Sequence, residues 1–151
     1  MLNNTPKMVI GNESTNWVAV QVLARSHPGL QDYWDGNWVR SEVTLRAGAF
    51  SGRYDADLRT DEFARFRDEL KAVFQPLIGN ATFSSLEMWL AIELVGDGKG
   101  HFSGACQAMD TPGTGNRLTF SLAIDQTEIP SILRDLDSIL SHFPVIGSPG
   151  T

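Results

Sequence analysis

A single cysteine, Cys106, occurs in the 151 residues. That scarcity excludes a disulfide framework and any multi-cysteine zinc site. Histidine is almost as rare. His27, His101 and His142 are scattered, and no two of them stand at metal-ligand spacing. Basic residues are outnumbered, with 12 Lys and Arg against 18 Asp and Glu and a formal net charge of −6. Without a basic footprint, non-specific nucleic-acid binding is disfavoured. Long apolar runs are missing too. The longest, Met88 to Leu94, is interrupted by Glu93, and a membrane-spanning helix needs about 20 apolar residues. The segment Met1 to Pro6 is polar and has no secretory h-region. A cytoplasmic protein with Cys106 as a reduced thiol is the expectation.

What is present suits a folded domain. Hydrophobic residues make up 42% and charged residues 20%, which excludes a disordered chain. A chain of this length buries about 68–70% of its unfolded surface, enough for one core. The expected organisation is a single domain over residues 1–146 with a loose tail over 147–151. Charge is uneven along it. Residues 1–79 carry 10 acids and 9 bases, whereas residues 80–151 carry 8 acids and 3 bases. An acidic surface attracts a basic protein.

Alternating apolar residues predict strands near 17–25, 39–46, 50–58, 101–109 and 117–125. Val18, Val20 and Val22 share one face; so do Leu118, Phe120, Leu122 and Ile124. The apolar parity flips after Gly48, which predicts a hairpin around Ala47-Gly48-Ala49. Residues 86–95 are apolar on both faces and predict a central strand covered on both sides. Phe63, Phe66, Leu70 and Val73 recur at helical spacing behind Thr60, and predict a helix over 60–76 with Thr60 as N-cap. Ile129, Ile132, Leu136 and Ile139 predict a second over 128–142, capped by Thr127. The order is βββα twice, an α+β domain: one antiparallel sheet of about six strands with two helices packed on one side. The other sheet face is expected to carry Arg40, Glu42, Arg46, Gln107 and Arg117, with Trp17 and Trp89 among them.

Catalytic chemistry finds little support. His101 and Cys106 lie five apart on one strand and point to opposite faces. Gly96-Asp97-Gly98-Lys99-Gly100 joins strand to strand, so it reads as a hairpin turn rather than a phosphate loop. Asp55 and Asp57 share a strand face with Arg53 and Arg59 and read as a solvated charged face. Asp110 opens a Pro-Gly turn, where its carboxylate is expected to accept backbone N–H groups. No enzyme activity, cofactor or metal is expected.

Four stretches carry a resemblance. They are Tyr33-Trp34-Asp35-Gly36-Asn37-Trp38-Val39, the run from Phe50 to Phe63, Asp110-Thr111-Pro112-Gly113-Thr114-Gly115-Asn116, and Ile124-Asp125-Gln126-Thr127. In that order they resemble the WapI-type family of small bacterial proteins, named for the immunity partner of a contact-dependent wall-associated nuclease toxin. The resemblance implies a binding protein that blocks a cognate, basic toxin, and it brings no catalytic residues. A non-catalytic protein-interaction or regulatory module is the alternative. The expected partner-binding residues are Asp32, Tyr33, Trp34, Asp35 and Trp38, with Trp34 as anchor and the two aspartates as steering charges. The competing role for Trp34 and Trp38 is to plug the end of the sheet.

Overall fold

The computed structural model describes residues 5–150. Among these residues eight strands form two four-stranded antiparallel sheets. The first sheet is a meander of β1 (Lys7–Gly11), β2 (Asn16–Arg25), β3 (Trp38–Ala47) and β4 (Phe50–Arg59). The second is a meander of β5 (Ile78–Ser84), β6 (Leu90–Asp97), β7 (His101–Met109) and β8 (Arg117–Asp125). Three helices accompany them: α1 (Tyr33–Gly36), α2 (Thr60–Phe74) and α3 (Ile129–His142). The α+β class and the antiparallel pairing hold. The single six-stranded sheet does not, because β1 and β5 add a first strand to each half. Both are weak in sequence. β1 buries only Met8 and Ile10, and β5 only Ala81 and Phe83.

The arrangement that repeats is therefore four strands and a helix. Each helix packs on the first strand of the other meander, α2 on β5 and α3 on β1, and the two helices pack on each other. The inner faces of both sheets and the apolar stripes of both helices share one buried cluster. On α2 the stripe is Phe63, Phe66, Leu70 and Val73; on α3 it is Ile129, Ile132, Leu136 and Ile139. β7 lies under the core with small residues. A Cβ on Gly104 would sit 2.9 Å from the Leu122 side chain, so a larger residue there would force the sheet apart. Cys106 lies beside it, buried, its thiol pushed up to about 12 by desolvation.

Several local expectations change. The hairpin expected around Gly48 holds, with a φ of +61° there that favours glycine, and the changes lie elsewhere. Residues 86–89 are a loop, not the start of a strand, and β6 is covered on one face only, with Glu93 and Val95 exposed on the other. Trp89 leaves the outer face altogether. It packs against the core and stacks on Tyr54, with ring centroids 6.3 Å apart, while the Tyr54 hydroxyl donates to the Trp89 carbonyl. Arg59, not Thr60, is the N-cap of α2, which ends at Phe74 rather than residue 76. Before α3, Asp125 caps a 3-10 turn over Gln126–Glu128 by accepting from the Thr127 N–H. Among the described residues no helix is long and apolar enough to cross a membrane.

Candidate functional site

The stretch Asp32 to Trp38 folds as one helical turn laid over the end of the first sheet. Asp32 caps it by accepting from the Asp35 N–H at 3.0 Å. In the β3–β4 ladder Trp38 stands opposite Arg59. Arg59 has the parity of the exposed face of β4, with Arg53, Asp55 and Asp57, yet it is only 2% exposed because α1 covers it. It does not flank Asp55 and Asp57 on a solvated face as expected. Arg53 pairs instead with Glu42 at 2.9 Å.

The buried guanidinium organises the turn. Its carbon lies 5.2, 5.3 and 5.0 Å from the ring centres of Tyr33, Trp34 and Trp38, within cation–π range. It donates to the carbonyls of Tyr33 and Trp34 and pairs with Asp61 at 2.9 Å. Asn37, fully buried, completes the clamp. Its amide donates to the carbonyls of Tyr33 and Ile146, while its Oδ1 accepts from the Thr60 hydroxyl and the Ile146 N–H. All of its hydrogen-bonding capacity is used.

The expected residues thus come together, in different roles. Trp38 is half-buried, serving the sheet end. Tyr33 meets Trp34 edge-on at 4.9 Å. Trp34 remains 54% exposed, and Asp32 and Asp35 are exposed beside it.

Across from Trp34 stands the loop 85–89. Leu86 is 62% and Met88 45% exposed, and between them and Trp34 runs a groove of about 450 Å³ floored in part by Arg59 and Glu62. Glu62 is buried and ties the two sides. One carboxylate oxygen accepts from the Arg59 N–H at 2.8 Å, the other from the Leu86 N–H at 2.6 Å. Desolvation pushes this carboxyl up to about 7, against those two bonds and Arg59, which favour the anion. A second cleft, of about 340 Å³, adjoins the loop and is lined by His27, Trp38, Asp57 and Glu87, with Ser26.

Sequence reading missed Asn37, Arg59, Glu62, Leu86 and Met88. Glu62 accepts from the Arg59 N–H as a capping-box glutamate does, but an arginine at the cap position carries none of the usual Ser, Thr, Asp or Asn signal. Nothing in the alternation marked Arg59 as buried or Met88 as exposed. Elsewhere the chemistry is structural. Asp110 accepts from the Asn116 N–H at 2.7 Å, and Asp97 from the Lys99 and His101 N–H groups at 2.7 and 3.1 Å, so both turns are closed by carboxylates as expected of Asp110. No cluster of three metal-ligating side chains occurs among the described residues.

The description of the immunity protein WapI-like family matches residues 8–144, from within β1 to just beyond α3. The chain belongs to that family. All four stretches that carry the resemblance lie inside the matched span, and all four contribute to the hydrogen-bonded features above: the α1 turn on Arg59 of the Phe50–Phe63 run, the Asp110–Asn116 loop and the Asp125–Thr127 cap. No curated protein sequence matches the chain. Membership of the WapI-like immunity family suggests a toxin-neutralising role.

Proposed function

We propose that this protein neutralises a bacterial toxin by binding it directly, through the face built from residues 32–38. The observation that carries this reading is Trp34. A large aromatic, more than half exposed, stands on a turn whose backbone is clamped by Arg59 and Asn37. An anchor held in place before binding loses little entropy on binding, and buried aromatics dominate interface energetics. Asp32 and Asp35 beside it suit a basic partner and speed its approach. No catalytic step is needed, since occlusion of the toxin suffices.

The test is co-expression with a candidate basic toxin domain, those encoded by flanking genes being tried first. The unaltered protein should restore growth and co-purify with the domain. Trp34→Ala, shown by circular dichroism to be folded, should weaken binding at least about 30-fold, or about 2 kcal/mol. Asp32→Asn with Asp35→Asn should mainly slow association, and less so at high salt. Failure of the unaltered protein to protect, or unchanged binding by folded Trp34→Ala, overturns the proposal.

A further inference from the structure

The groove between α1 and the loop 85–89 has a chemistry more specific than an exposed tryptophan. One wall is Trp34; the other is Leu86 and Met88. The loop that presents them is built, not slack. Met88 holds φ at +66°, a left-handed conformation that a residue with a Cβ rarely adopts. That conformation persists because the surroundings impose it. Ser85 accepts from the Met88 N–H through its carbonyl and from the Leu90 N–H through its hydroxyl, and Glu62 holds the Leu86 N–H.

Around these apolar walls exposed carboxylates outnumber exposed cations. Asp32 and Asp35 flank Trp34, Glu87 lies between Leu86 and Met88, and Asp57 shares the adjoining cleft with Glu87. None of the four makes an ion pair among the described residues. Asp57 faces Arg40 across the ladder, and Arg65 is the exposed cation among the groove's lining residues. Apolar walls with an anionic rim complement a side chain that is aliphatic along its stem and cationic at its head. Trp34 already receives one guanidinium, that of Arg59, on its ring.

We infer that the groove seats an arginine-bearing segment of the protein partner, its stem between Trp34 and Leu86 and its guanidinium among the rim carboxylates. The inference rests on the reading that this face binds a protein, and it names what that protein must present. Arginine suits better than lysine, because a planar, weakly hydrated guanidinium stacks on an indole and bridges carboxylates in a fork.

Two-dimensional NMR of the full-length, isotope-labelled protein tests it, with the peptide acetyl-Leu-Arg-Leu-Arg-amide as probe and its citrulline counterpart as the neutral isostere. The arginine peptide should shift the Trp34 indole and the Leu86 and Met88 amides saturably, with a Kd of about 1 mM or tighter. The citrulline peptide should bind at least tenfold more weakly. Leu86→Ser with Met88→Ser should lose tenfold as well. Asp57→Asn with Glu87→Gln, both on exposed side chains, should weaken binding and flatten its salt dependence. Equal binding of the citrulline peptide, shifts without saturation, or undiminished binding by both double variants overturns the inference. The toxin domain separates the two proposals. If it binds the Leu86 and Met88 double variant unchanged, the groove is not the seat and the immunity reading stands. If the peptide fills the groove while the domain does not bind, the groove stands and the immunity reading falls.

Discussion

Asp135 of α3 accepts a hydrogen bond from the backbone N–H of Val9 at 3.1 Å, across 126 positions of chain. The other half of the fold repeats the device, with Glu69 of α2 accepting from the Thr82 N–H at 2.8 Å. β1 and β5 are the outer strands of their sheets, and outer strands present unpaired backbone groups. Each helix therefore satisfies one such group with a carboxylate while its apolar stripe covers the core. Asp135→Ala should lower unfolding free energy by about 1.5–3 kcal/mol, the worth of a hydrogen bond to a charged group, and accelerate hydrogen exchange at Val9 before the rest of the sheet. Exchange at Val9 unchanged from the parent protein would refute the fastening role.

Among the described residues Arg59 is the one cation sealed under α1. Its replacement by Met keeps the volume but strands Asp61 and frees the carbonyls of Tyr33 and Trp34. Breaking a buried pair by removing one partner costs about 3–5 kcal/mol. Arg59→Met should lose stability on that scale in urea and red-shift the tryptophan fluorescence as Trp34 and Trp38 become wetter. Arg59→Lys should recover only part, since one ammonium cannot replace the fork. Full recovery by Lys would mean that charge alone matters here.

Glu62 makes stability depend on pH in an unusual sense for a carboxylate. Its folded value of about 7 lies above the ordinary 4.5 because burial penalises the anion. Between those values the folded state binds the proton and the unfolded state does not. Stability should therefore fall as pH rises from about 4.5 to about 7, by at most about 3 kcal/mol, and level off above. Asp135, also raised by desolvation, acts in the same direction. Glu62→Gln should flatten most of that slope. Urea midpoints measured across the window decide it, and equal slopes for the parent and the variant would remove Glu62 as the cause.

Leu136 is fully buried in the middle of the α3 stripe. Leu136→Ala should destabilise by about 2–5 kcal/mol through lost transfer energy and the cavity left behind. A loss under about 1 kcal/mol in chemical denaturation would show that the stripe is not packed as described.

Period-two alternation over β2, β3, β4, β7 and β8 and period-3.6 stripes over α2 and α3 were readable in the residues themselves. Each spans enough residues for one buried face to dominate the pattern. The α+β class and the antiparallel pairing followed from them. Tertiary structure alone decided three things. It paired β1 and β5, whose two buried residues apiece are too few to show a period, with β2 and β6, and laid a helix from the other half on each. It buried Arg59, whose parity is that of an exposed face, because the α1 turn folds back from earlier in the chain and covers that end of the sheet. It exposed Leu86 and Met88, whose apolar character reads as core, because Glu62 holds the Leu86 N–H and Ser85 closes on Leu90, so residues 86–89 turn outside the ladder. Local pattern records which face a residue shares with its neighbours in sequence; what covers that face comes from distant segments, and those contacts leave no period to read.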